Sequence, residues 1–262
     1  MTLSDKELSG VAQDLLTACK DRTPIKPVTE EYPEIDIQEA YRIQLLTVEA
    51  RLSEGRKVVG KKIGLTSPAM QEMLGVDEPD YGHLLDDMFV YEGVGLNASC
   101  LLQPRIEGEI AFVLERDLIG PGITPVDVLR STAGVMASLE IIDSRIRDWQ
   151  IKIQDTIADN ASGAGFVLGS KLVPLADLDL RRVGFVMTKN GQLAGAGAGA
   201  AVLGNPVQSV AWLANRLSDY GIPLKAGEVI LSGTPTAAVP VEAGDSIYLT
   251  VDRIGDVGCF FS

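Results

Sequence analysis

The sequence predicts an α+β protein, with a helical amino-terminal part (residues 1–70) packed on a β-rich catalytic domain (71–262). Three observations point there. Helical periodicity is confined mostly to the first fifty-odd residues; short β-like segments separated by Gly and Pro fill the chain from about residue 85 onward; and no repeated strand–helix alternation appears, which argues against a stack of βαβ units. At 262 residues the chain is long enough to bury a full core, and 46% apolar with 23% charged residues is the composition of a globular protein.

The elements justify themselves in order. "SDKELSGVAQDLLTACKDR" places Leu8, Val11, Leu15 and Leu16 at helical spacing, with Ser4 as a cap ahead of Glu7. "DIQEAYRIQLLTVEARLSEG" repeats the pattern through Ala40, Ile43, Leu46 and Val48 and stops at Gly55. The period then changes: "KVVGKKIGLTS" reads as a short strand, and "PAMQEMLG" as a short helix opened by Pro68. Strands are expected at 89–96, 107–115, 135–142, 164–169, 183–189, 228–232, 246–251 and 257–261, with helices near 124–132 and 206–221. "EPDYGHLLDDM" at 78–88 reads as a turn rich in Asp caps. The polar stretch 143–162 lacks a clean apolar stripe and reads as an ordered loop or short helix over a site.

Charge and composition exclude several function classes. A formal net charge of −13 disfavours nucleic acid and anionic membrane surfaces as partners. No apolar run reaches the ~18 residues of a spanning helix, and the polar amino terminus resembles no signal peptide. Cys19, Cys100 and Cys259 are sparse, odd in number and widely spaced, which suggests a reducing, cytoplasmic setting. His83 is the only histidine, so neither a zinc site with a His pair nor a hydrolytic triad is readily built. Acid–base and metal chemistry therefore fall to carboxylates and lysine.

The stretch "QPRIEGEIAFVLERD" is the most informative. Read as a strand, it puts Glu107 and Glu109 on one face about 7 Å apart, with Arg105, Ala111 and Val113, against a back of Ile106, Gly108, Ile110, Phe112 and Leu114. A solvated strand face would explain two glutamates. Yet the face runs on into apolar residues, and Glu140 lies in a second apolar strand, "VMASLEIIDSR". Converging carboxylates repel one another unless a cation compensates, and a hard divalent ion such as Mg²⁺ or Mn²⁺ would do so. Of Lys61 and Lys62, composition alone favours a solvated pair; a partly buried lysine beside a metal would instead move protons.

Seven motifs in register, "GKKIGLTS", "EPDYGHLLDDM", "QPRIEGEIAFVL", "LEIIDSRIRDW", "DTIADNAS", "GAGAAVLGNP" and "KAGEVILSGT", resemble the vinylpyruvate hydratases of the fumarylacetoacetate hydrolase superfamily. The resemblance runs from about residue 35 to 261. It implies a β-rich roll, or distorted barrel, and a Mg²⁺ or Mn²⁺ site whose ligands match Glu107, Glu109 and Glu140. It also implies Lys62 and Asp80 as catalytic residues and Ser67, Asp159, Ser162 and Thr234 at the substrate. The implied activity is hydration of a small 2-hydroxydienoate, 2-hydroxypenta-2,4-dienoate above all, in meta-cleavage catabolism of aromatic compounds, by a homo-oligomer that associates with a pathway partner enzyme. The related 4-oxalocrotonate decarboxylases are resembled at "GAGAAVLG" and at the "TAAV" of "SGTPTAAVPV", and longer or dicarboxylic dienoates are further substrates of such hydratases.

Overall fold

The structure is a computed structural model that describes residues 3–67, 71–72 and 75–262. Helix α1 (Asp5–Asp21) begins at a capping box in which Ser4 and Glu7 satisfy each other's backbone N–H groups, and it buries Leu8, Val11 and Leu15 as its spacing requires. Helix α3 (Ile37–Ser53) opens with the same device, built from Asp36 and Glu39. Between them α2 (Val28–Glu31) is a single turn. The short helix expected over "PAMQEMLG" lies largely outside the described residues.

A large mixed sheet follows. Its strands are β1 (Val58–Gly64), β2 (Asp80–Leu85), β3 (Phe89–Val90), β4 (Arg105–Leu114), β5 (Thr132–Ile142), β6 (Gly163–Leu168), β9 (Val229–Leu231) and β10 (Val239–Pro240). They run in the order β2-β1-β9-β4-β5-β6-β3, with β10 paired to β4. A second antiparallel sheet, in the order β12-β11-β7-β8, contains β7 (Gly184–Lys189), β8 (Gln192–Ala198), β11 (Ser246–Val251) and β12 (Gly255–Phe260). Its inner face, with Phe185, Met187, Ile247, Leu249 and Val257, joins Ile106, Ile110 and Phe112 from the back of β4 in one core. The opposite sides of β7, β11 and β12 leave Val186, Tyr248 and Phe260 exposed. Helices α4 (Pro125–Ser131), α5 (Ile153–Ala158) and α6 (Pro206–Ser218) complete the fold, and α3 packs on α1 and α5.

This is the β-rich roll with a smaller helical part that was expected. Strand β1, counted above with the amino-terminal part, is the second strand of the large sheet. Two expectations fail. Residues 80–85 are not a turn but a strand buried at every position, because β2 pairs with β1 on one side while α3, α5 and the 160–162 turn cover it. The strand expected over 89–96 ends at Val90, where the chain turns at Tyr91–Val94. Among the described residues no helix is long and apolar enough to cross a membrane.

Candidate active site

Register assembles the site. Glu107 faces Glu140 directly across the β4–β5 ladder, and Glu109 faces Ser138. Lys62 aligns with Leu231 on β9, and Leu231 with Ala111 on β4, so Lys62 shares the face of Glu109. On its other side Lys62 pairs with Gly82, and Gly64 pairs with Asp80, which places Asp80 one pleat further along that face. Four strands thus bring three glutamates, an aspartate and a lysine together.

One carboxylate oxygen from each of Glu107, Glu109 and Glu140 lies within 4.8 Å of the others. Glu109 and Glu140 are wholly buried and Glu107 is half-buried. Glu109 Oε2 accepts a 2.7 Å hydrogen bond from the Gly233 N–H. Gly233 adopts φ +102, and a Cβ there would sit 2.4 Å from the Thr66 side chain, so only glycine delivers that N–H. Glu109 Oε1 and both Glu140 oxygens accept no hydrogen bond. Glu140 Oε1 has an ion pair with Lys62 Nζ at 3.2 Å, and Nζ also donates to the Ala161 carbonyl at 3.0 Å.

The solvated reading of the lysine pair is overturned. Lys61 and Lys62 are each 3% exposed, and Lys61 is held by Glu228 at 2.6 Å on the opposite face. Burial raises the Glu107 carboxyl to about 7, reinforced by Glu140 and opposed by Lys62. Burial likewise drives Glu109 well above the carboxylate range and raises Glu140 and Asp80, with Lys62 opposing in each case. For Lys62 burial acts against the ammonium, but Glu140, Asp80, Glu107 and Glu109 outweigh it and hold its pKa above the usual lysine value. Burial is the largest cause of each carboxyl shift, and mutual repulsion among the carboxylates adds to it at Glu107, Glu109 and Glu140.

Orphaned buried carboxylate oxygens on Glu109 and Glu140, converging with Glu107, fit a hard divalent cation, which takes a few carboxylates and keeps positions open. A softer or larger demand for nitrogen or sulfur donors is not met: no histidine or cysteine joins the cluster among the described residues.

The other expected residues are distributed unevenly. Asp80 Oδ2 accepts from Thr156 at 3.4 Å while Oδ1 has no hydrogen bond. Ser162 is buried with an unpartnered hydroxyl, directly after the carbonyl that holds Lys62. Thr234 follows Gly233 and is half-buried, and Ser67 lies on the loop after β1 beside Thr66. Asp159 stands apart: its oxygens are committed to the Arg145 guanidinium, the Arg145 N–H at 2.9 Å and Ser144 at 3.3 Å. Burial pushes its pKa up to about 6 against that pairing. Sequence reasoning missed Ser138, Thr156, Gly233 and Arg145. Period-2 alternation from Glu140 would have found Ser138; nothing local marks the others.

Residues 87–260 match the fumarylacetoacetate (FAA) hydrolase C-terminal family. The chain belongs to the FAA hydrolase family. Within it the chain is 48% identical to a 2-hydroxyhexa-2,4-dienoate hydratase of Comamonas testosteroni, over 99% of this chain and 100% of that relative. It is 44% identical to a 2-keto-4-pentenoate hydratase of Paraburkholderia xenovorans LB400, covering 97% and 95% of the two chains. The FAA hydrolase fold is matched by the structure of 4-oxalocrotonate decarboxylase from Pseudomonas putida G7 complexed with magnesium and adipate, with a TM-score of 0.97, 39% identity and coverage of 100% and 99%.

Proposed function

We propose that this protein is a metal-dependent hydratase that adds water to 2-hydroxypenta-2,4-dienoate, by way of the 2-oxo-3-enoate, to give 4-hydroxy-2-oxopentanoate. The observation that carries the reading is near-full-length identity to dienoate hydratases, at 48% and 44%. The six-carbon dienoate named for the first relative makes a longer dienoate the nearest variant of it. A dicarboxylic dienoate is a further variant.

Mg²⁺ or Mn²⁺ held by Glu107, Glu109 and Glu140 would supply Lewis-acid stabilisation of negative charge at the carboxylate and 2-oxo end of the substrate. The remaining chemistry is proton management by the chain. The dienol loses its hydroxyl proton and gains one at C5, which moves the double bond to C3–C4; water then adds its oxygen at C4 and a proton at C3. Lys62 is the group suited to hold and return these protons, with Asp80 on the same face as its counter-charge. Ser67, Ser162 and Thr234 line the substrate's approach in this reading, and Asp159 acts through Arg145, which donates to the Asp159 and Gly163 carbonyls and so holds the chain on both sides of Ser162. Residues 1–70 contribute Lys62 and Ser67 to a site otherwise carried by 71–262.

A decarboxylase reading is supported by the shared fold alone, the TM-score being 0.97 to 4-oxalocrotonate decarboxylase. Freshly generated 2-hydroxypenta-2,4-dienoate and 2-oxo-3-hexenedioate, each with Mg²⁺, separate the two. Loss of dienoate absorbance with 4-hydroxy-2-oxopentanoate formed and no CO₂ supports the hydratase; CO₂ from the diacid alone overturns it. The same reading carries a cytoplasmic homo-oligomer that associates with a pathway partner enzyme, checked by light scattering alone and with that enzyme.

A further inference from the structure

Three consecutive non-glycine residues, Asn160, Ala161 and Ser162, occupy the left-handed region with φ of 54°, 48° and 55°. Such residues cost roughly 1 kcal/mol or more each and persist only where their surroundings over-determine them. Here the surroundings are the strand that carries the partner of Lys62. Gly82 lies directly across from Lys62, and a Cβ on it would meet the Asn160 carbonyl oxygen at 2.4 Å, so the absent side chain admits the turn onto β2. The Asn160 side chain then clamps one residue further on. Its Oδ1 accepts from the His83 N–H at 2.8 Å, and its Nδ2 donates to the His83 carbonyl at 2.9 Å, so one amide uses both backbone groups of that residue. The clamped turn directs the Ala161 carbonyl at Lys62 Nζ, 3.0 Å away.

We propose that Asn160, seated over Gly82, is a positioning residue that fixes the Lys62 ammonium through the Ala161 carbonyl. The inference rests on the proton-transfer role given to Lys62 above and deepens it. The Asn160 amide bonds His83 and neither Glu107, Glu109 nor Glu140, so it reaches the cation site only indirectly, through the Lys62–Glu140 ion pair. Asparagine suits the position twice over, because it tolerates left-handed backbone and presents a donor and an acceptor together.

The test is Asn160→Gly, which keeps the left-handed backbone easy and deletes only the clamp, with Gly82→Ala as an independent way to lift the turn. Expected for Asn160→Gly is a fall in kcat of about a hundredfold, the order produced by a misplacement near 1 Å, with KM and the Mg²⁺ dissociation constant unchanged within about twofold. Asn160→Asp, which retains the acceptor for the His83 N–H, should recover part of the loss. In metal-free protein the ¹⁵N resonance of Lys62 Nζ, assigned by its disappearance in Lys62→Met, should shift in Asn160→Gly. Wild-type kcat, an Mg²⁺ affinity that falls in step with kcat, or an unmoved Nζ resonance would overturn the proposal. Failure of the wild type to hydrate any dienoate would instead strike the proposed function, and the resonance would still decide the clamp.

Discussion

Replacing Lys62 by methionine should destabilise the metal-free protein strongly at alkaline pH and weakly at acid pH. The ammonium lies 3.2 Å from Glu140 Oε1, with both side chains buried. At an effective dielectric of about 20 that separation corresponds to about 5 kcal/mol of attraction. Removing one member of such a pair costs about 3–5 kcal/mol, because a buried charge is left uncompensated. The carboxylates escape by taking up protons. Their folded pKa values already lie above the unfolded ones, that of Glu107 at about 7, so the folded state binds more protons than the unfolded state and stability falls as pH rises through this range. Without Lys62 those pKa values climb further. The variant should lose about 3–5 kcal/mol at pH 8, or about 6–20 °C in Tm at 2–4 °C per kcal/mol, and no more than about 1 kcal/mol at pH 5. Calorimetry in EDTA at both pH values reads this directly, and saturating Mg²⁺ should restore much of the alkaline loss. A loss that is equal at the two pH values, or below about 1 kcal/mol at pH 8, would refute the charge-excess picture.

Other consequences follow from the same contacts. His83 is held neutral, its pKa lowered to about 3 by burial and by Lys61, so the unfolded chain takes a proton below about 6.5 that the folded chain refuses. Its contribution is therefore lost as pH falls, by up to about 1.4 kcal/mol per unit between about 6.5 and 3, and His83→Gln should flatten the acid limb of a Tm–pH curve relative to wild type. Asp155 accepts from the Thr29 N–H at 2.9 Å and hydroxyl at 2.8 Å in a buried setting; Asp155→Ala should cost about 2–4 kcal/mol by urea unfolding, with kcat changed little once folded. Mg²⁺ at a hundred times its dissociation constant should add about 2.7 kcal/mol to wild-type stability and almost none to Glu109→Gln.

The amount legible in the sequence followed how local each feature is. Glu107 and Glu109 announced themselves because period-2 alternation within one strand is enough to put them on one face, and Glu140 because its apolar neighbours mark another strand. Lys62 did not. Its burial depends on β2, twenty residues on, and on β9, which arrives in parallel from more than 160 residues away. Residues 80–85 were hidden for a related reason: Asp80 and Gly82 look like turn chemistry, whereas each is there to serve the site, one as a charge beside Lys62 and one as a gap beneath the 160–162 turn. Asp159 read as a pocket residue from its motif, but its carboxylate is spent on Arg145, a partner that no spacing rule indicates.

The central claim is that Glu107, Glu109 and Glu140 hold the divalent ion on which dienoate hydration depends. The most direct measurement is a Mn²⁺ titration of EDTA-treated protein by electron paramagnetic resonance, with hydratase rate followed in the same samples, for wild type and Glu109→Gln. The account predicts one bound Mn²⁺ per chain in the wild type, activity restored in proportion to it, and neither in the variant. Full Mn²⁺ binding by Glu109→Gln, or hydration at the wild-type rate in EDTA, would contradict it.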